Sequence, residues 1–106
     1  MLLREKDKQT LIHIFKSINL PIEVWAYGSR VNGEAHSGSD LDLVIRTKDL
    51  QPINIDDYIN IKEKIQMSNI PILVDILDWA RIPKSFHENI QKQYEVLFMS
   101  IDKSCY

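Results

Sequence analysis

The sequence predicts a single α+β domain over residues 1–106, α/β in the alternating order of its elements. Three observations carry this. Apolar runs at residues 22–27, 40–45 and 72–77 have the length and residue types of strands. Amphipathic patterns at 4–18, 56–67 and 84–94 separate or flank those runs. A length of 106 residues suits one domain with a modest core.

Along the chain, Leu11, Ile14, Phe15 and Ile18 recur at helical spacing and should cover one face of a sheet. His13 lies beside this stripe and reads as a surface residue. Asn19-Leu20-Pro21 ends the helix, because the residue before proline resists helical backbone angles. After the strand at 22–27, Gly28-Ser29 marks a tight turn and Arg30-Val31-Asn32 can begin a short helix. Gly33 and Gly38 suggest turns in a polar loop, where His36 reads as solvated. Asp49 and Pro52 mark a connection, and Asp56-Asp57 opens the next helix, where acids complement the dipole. The run at 72–77 is nearly all apolar, which suggests a central strand. Phe86, Ile90 and Tyr94 fall on one side of the last helix, and His87 reads as surface. Residues 95–99 either extend that helix or form an edge strand, and their apolar side chains could also meet a partner. The last five residues should fray.

Asp40-Leu41-Asp42-Leu43 alternates with period two, so both acids share one face of their strand. At about 4 Å and an effective dielectric of about 20, two such charges repel by roughly 4 kcal/mol. A strand gains nothing structural from that repulsion, and a cation offsets it. Hard carboxylate oxygens suit Mg²⁺ or Mn²⁺. The bland alternative is a solvated strand start, or a turn residue at Asp40 after Gly38-Ser39.

Gly28-Ser29 shifts the balance. Glycine lets a ligand approach the backbone, and serine at a helix start offers a hydroxyl beside outward-pointing amides. That is a phosphate seat, and its alternative is a plain helix cap. Arg30 could reach a phosphate or carboxylate, or lie on the helix surface. A phosphate seat near a divalent-metal seat implies a metal–nucleotide complex. A third carboxylate should come from a neighbouring strand. Asp75, inside an apolar run where an unpaired charge is costly, is the candidate. Asp78 faces the other way and reads as a structural residue, easily solvated at the strand end beside Trp79.

Gly28-Ser29, ten intervening residues and Asp40-Leu41-Asp42 form the G-S-x10-D-x-D signature. With W-A-Y-G-S-R-V-N-G, S-D-L-D-L and V-D-I-L-D-W-A, the chain resembles the minimal nucleotidyltransferase (MNT) branch of the DNA polymerase β-like superfamily. The resemblance covers nearly the whole chain. It implies the palm-like fold, a mixed β-sheet with helices packed on one face. It implies Asp40, Asp42 and Asp75 as catalytic and metal-binding residues for two Mg²⁺ ions, with Mn²⁺ as a substitute. Gly28 and Ser29 would hold the triphosphate of ATP, with Arg30, one residue past the serine, as a further candidate from its position. The implied function is AMP transfer from ATP to a hydroxyl, a tyrosine of a HEPN toxin partner, by an antitoxin. The alternative is a catalytically idle nucleotide-binding module that neutralises its partner by stoichiometric contact. Glu34 is a departure, in a loop where members often carry a basic residue.

The net charge of −2 implies no general electrostatics for nucleic acid, so a long template is not expected. The one cysteine, Cys105, excludes an internal disulfide. No apolar run is long enough to span a bilayer, and the charged start is unlike a signal peptide, so a cytoplasmic protein is expected. A homo- or hetero-oligomer is compatible with this composition.

Overall fold

The computed structural model describes residues 3–33 and 40–101. The elements are α1 (Glu5–Ile18), β1 (Ile22–Tyr27), α2 (Ser29–Asn32), β2 (Leu41–Thr47), α3 (Ile55–Gln66), β3 (Val74–Asp78), α4 (Lys84–Lys92) and β4 (Tyr94–Met99). Short 3-10 turns follow β2 at Lys48–Leu50 and β3 at Trp79–Arg81. The readings made for Glu34, His36 and Gly38, and for the tail with Cys105, lie outside the described residues.

Local chemistry explains the helix limits. Arg4 Nε donates to Asp7 Oδ2 at 2.9 Å in the first turn of α1. Asn19 closes that helix in the left-handed region at φ 58°, where asparagine is tolerated. The Asn54 side chain accepts from the Asp56 amide at 2.8 Å and caps α3.

The strand order is β3-β2-β1-β4. β1 runs antiparallel to β2 and to β4, whereas β2 and β3 are parallel and joined through α3. The sheet is therefore mixed, as expected. β3 is an edge strand rather than a central one. Val74 and Ile76 pack on the face covered by α1 and α3 and Leu77 on the other, while Leu73, just before the strand, is 69% exposed. Residues Tyr94–Met99 take the edge-strand alternative, which ends α4 at Lys92.

Alternation along the strands divides the interior. Ile22, Val24, Leu41, Leu43, Ile45 and Ile76 pack with Leu11, Phe15, Ile61 and Ile65 from α1 and α3. This is the helix-covered face the sequence predicts. The opposite parity, Trp25 and Val44, forms a smaller cluster with Trp79 and with Ile90 of α4. The third long helix thus adds its contact on the other side of the sheet. A register shift between Val24 and Trp25 pairs them with Phe98 and Val96, so Leu97 is the extra residue of a bulge. Leu97 and Phe98 both join the larger cluster. No helix among the described residues is long and apolar enough to cross a membrane.

Candidate active site

One row of residues crosses the sheet near the end of β1. Tyr94, Tyr27, Asp42 and Asp75 are successive register partners on β4, β1, β2 and β3. Register partners share a face, so Asp42 and Asp75 stand side by side on neighbouring strands. Asp40 lies two residues before Asp42, where β2 begins. Leu41, between the two acids, is fully buried on the other face, and its amide donates to the Leu73 carbonyl at 2.9 Å. That bond ties the start of β2 to β3.

The electrostatics follow from this placement. Burial, then the charges of Asp75 and Asp40, push the Asp42 carboxyl above the usual carboxylate range. Burial, then Asp42 and Asp75, raise the Tyr27 hydroxyl well above its ordinary value. Tyr27 therefore remains a neutral hydrogen-bond donor beside two carboxylates.

Gly28 is held at φ 83° and ψ −157°, backbone that favours glycine. A β-carbon there would lie 2.5 Å from Asp42 Oδ2. The Gly28 carbonyl accepts from the Val31 amide at 3.0 Å and starts α2, with Ser29 as its first residue. Arg30 is only 7% exposed, so the alternative of a surface helix residue is corrected. Burying a guanidinium requires partners, which a surface position does not.

The carboxylates fit a hard divalent cation by their chemistry, since Asp42 is destabilised as a carboxylate first by burial and then by Asp75 and Asp40. Among the described residues no three acidic, histidine or cysteine side chains already stand as an ion-holding group.

The profile of the family described as polymerase beta, nucleotidyltransferase matches residues 9–103. The chain belongs to this family.

The probable protein adenylyltransferase MntA of Haemophilus influenzae is 43% identical over 74 residues, covering 70% of this chain. The chain spans 63% of that relative's length. A solved toxin–antitoxin with AMP-PNP superposes with a TM-score of 0.70 at 16% identity, over 88% of this chain and 73% of that one. A tri-AMPylated HEPN toxin in complex with its MNT antitoxin, from Shewanella oneidensis, gives 0.66 at 13% identity, over 92% and 74%. At such identities the superpositions establish the fold, which is the nucleotidyltransferase palm.

Two expectations about this nucleotidyltransferase change with the coordinates. Asp75 is exposed at the sheet edge rather than enclosed by its apolar neighbours. Asp78 is structural as expected, yet it is 5% exposed rather than solvated. Its carboxylate accepts from the Ile53 amide at 3.1 Å, the Ala80 amide at 3.2 Å and Arg81 Nε at 3.0 Å.

The sequence reading also missed a stacked layer on the same face of the nucleotidyltransferase. The Arg46 guanidinium lies 4.1 Å from the Trp25 ring centroid and 4.7 Å from that of Trp79. It also donates to Glu23 at 3.2 Å. Tyr94 stacks on Trp25 at 3.8 Å. His87, expected at the surface without a partner, stacks on Trp79 at 3.8 Å and donates through Nε2 to the Trp79 carbonyl at 2.6 Å. The available signal was parity, since Glu23, Trp25 and Tyr27 alternate on β1 as Asp42, Val44 and Arg46 do on β2.

Proposed function

We propose that this nucleotidyltransferase transfers AMP from ATP to a tyrosine hydroxyl of a HEPN toxin and acts as its antitoxin. The observation that carries the reading is the pairing of Asp42 with Asp75 beside Gly28. The adenylyltransferase name of the Haemophilus relative and the AMP-bearing toxin of the Shewanella complex support the donor and the acceptor.

Asp40, Asp42 and Asp75 would hold two Mg²⁺ ions, with Mn²⁺ as a substitute. Bound there, the ions supply charge neutralisation at the phosphates and acidify the acceptor hydroxyl. Asp75 is open to solvent at the sheet edge, where a partner's side chain can reach it. It takes the hydroxyl proton. The acceptor oxygen then bonds to the α-phosphorus, the bond to the bridging oxygen breaks, and pyrophosphate leaves. Gly28 lets the phosphates approach the backbone, and Ser29 and Arg30 complete their seat. Tyr27, register partner of Asp42, stays neutral and adds no charge beside the carboxylates.

Incubation with ATP, Mg²⁺ and a HEPN protein encoded beside this chain tests the proposal. The partner's intact mass should rise by one or more AMP units. An unchanged mass with a folded, associated partner contradicts it.

A further inference from the structure

The geometry points to an adenine pocket between Gly28 and α4, an inference that rests on the site being a nucleotide site. A cavity of about 330 Å³ opens there. Tyr27 and Gly28 line one side, and Phe86, Asn89, Lys92 and Gln93 line the other. Steps of three and four residues put Phe86, Asn89 and Gln93 on one helix face. Ile90, buried against Trp25 and Val44, fixes the rotation of that helix on the sheet. Gln93 Nε2 reaches the Val31 carbonyl at 3.5 Å and links the end of α4 to α2.

The lining matches a purine base. Phe86 leaves 41% of its surface open and offers an aromatic face for stacking. The carboxamides of Asn89 and Gln93 carry the donor and acceptor that pair with adenine N6 and N7. Lys92 is exposed at the cavity and suits the phosphate side of a nucleotide. Among the described residues no acidic side chain lines the cavity. Its volume lies at the small end of the about 300–1,000 Å³ usual for ligand sites. It therefore suits a base, with the phosphates extending past Gly28 toward Asp42.

Titration calorimetry of the full chain in Mg²⁺ tests this with three ligands: ATP, UTP and inorganic tripolyphosphate. The proteins are wild type, Phe86→Ala and Asn89→Ala, each checked by thermal melting. Both substituted side chains are exposed, so the fold should persist. ATP should bind about tenfold more tightly than UTP or tripolyphosphate, the discrimination expected of a paired and stacked base. Both substitutions should bring that ratio toward one and leave tripolyphosphate affinity unchanged. Equal affinities for ATP and tripolyphosphate in the wild type, or ATP binding unchanged in both variants, overturn the pocket while leaving the nucleotide site standing. ATP and UTP binding alike overturns the adenine assignment. Failure of both ATP and tripolyphosphate to bind overturns the nucleotide site and the pocket together.

Discussion

Gly28 and Asp42 occupy adjoining space so closely that a single methyl group on Gly28 would meet Asp42 Oδ2 at 2.5 Å. Gly28 also sits at φ 83°, so two independent constraints exclude a side chain. The turn and the acid thus form one unit.

Gly28→Ala should lower stability by about 1–3 kcal/mol, from the positive φ and the displaced carboxylate. It should also abolish ATP binding. Thermal melting and calorimetry check both effects. A variant that melts and binds like the wild type would show that Asp42 moves aside without consequence.

Asp42→Asn should separate stability from activity. Asp42 is destabilised as a carboxylate, first by burial and then by Asp75 and Asp40. Because its folded pKa is raised, the protonated form stabilises the fold at low pH. That contribution is lost as pH rises through the raised value. At neutral pH without metal, removing the charge should stabilise the protein by up to about 1 kcal/mol, limited by solvent screening. The gain should fade as pH falls into the acid range where the wild-type carboxyl is itself protonated. AMP transfer should be lost at every pH. Melting temperatures across pH decide the first point. A purely stoichiometric antitoxin would neutralise its partner undiminished with this substitution.

Asp75 and Asp78 should respond in opposite ways. Asp75→Asn, at an exposed position, should leave the melting temperature almost unchanged and abolish transfer. Asp78→Ala removes an acceptor from two backbone amides and Arg81, which should cost about 2–4 kcal/mol. Denaturant unfolding and transfer assays on the pair check the contrast. Full transfer in Asp75→Asn would rule out its assigned role.

Arg46→Ala should destabilise by about 1–2 kcal/mol, because the guanidinium packs on Trp25 and Trp79 and pairs with Glu23. The buried nitrogens Trp25 Nε1 and Arg46 Nε have no hydrogen-bond partner among the described residues, so ring stacking carries the contact. Chemical denaturation measures the loss. Arg46→Lys should recover little of it, since an ammonium cannot stack as a plane.

The legible parts of the fold were those where local pattern and tertiary position agree. β1 runs over Ile22–Tyr27, the span its apolar residues mark. α1 buries Leu11, Ile14 and Phe15, the stripe that helical spacing picks out. The facing of Asp42, away from its buried neighbours Leu41 and Leu43, follows from period two alone. The place of β3 was not legible, because an apolar run reads alike in a central strand and in an edge strand with apolar contacts on both faces. The environments of Asp75 and Asp78 depended on that place. The Ile53 amide that binds Asp78 comes from 25 residues away, which no local pattern displays. The Trp79–His87 stack likewise depends on the turn Trp79–Arg81 folding α4 back over the sheet.

Manganese titration followed by electron paramagnetic resonance, with a non-hydrolysable ATP analogue, tests the metal–nucleotide site most directly. The account predicts that the wild type takes up Mn²⁺ only together with the nucleotide and that Asp42→Asn and Asp75→Asn each lose that uptake. Asp78→Asn, if folded, should retain it. Unchanged uptake in Asp42→Asn and Asp75→Asn would contradict the account.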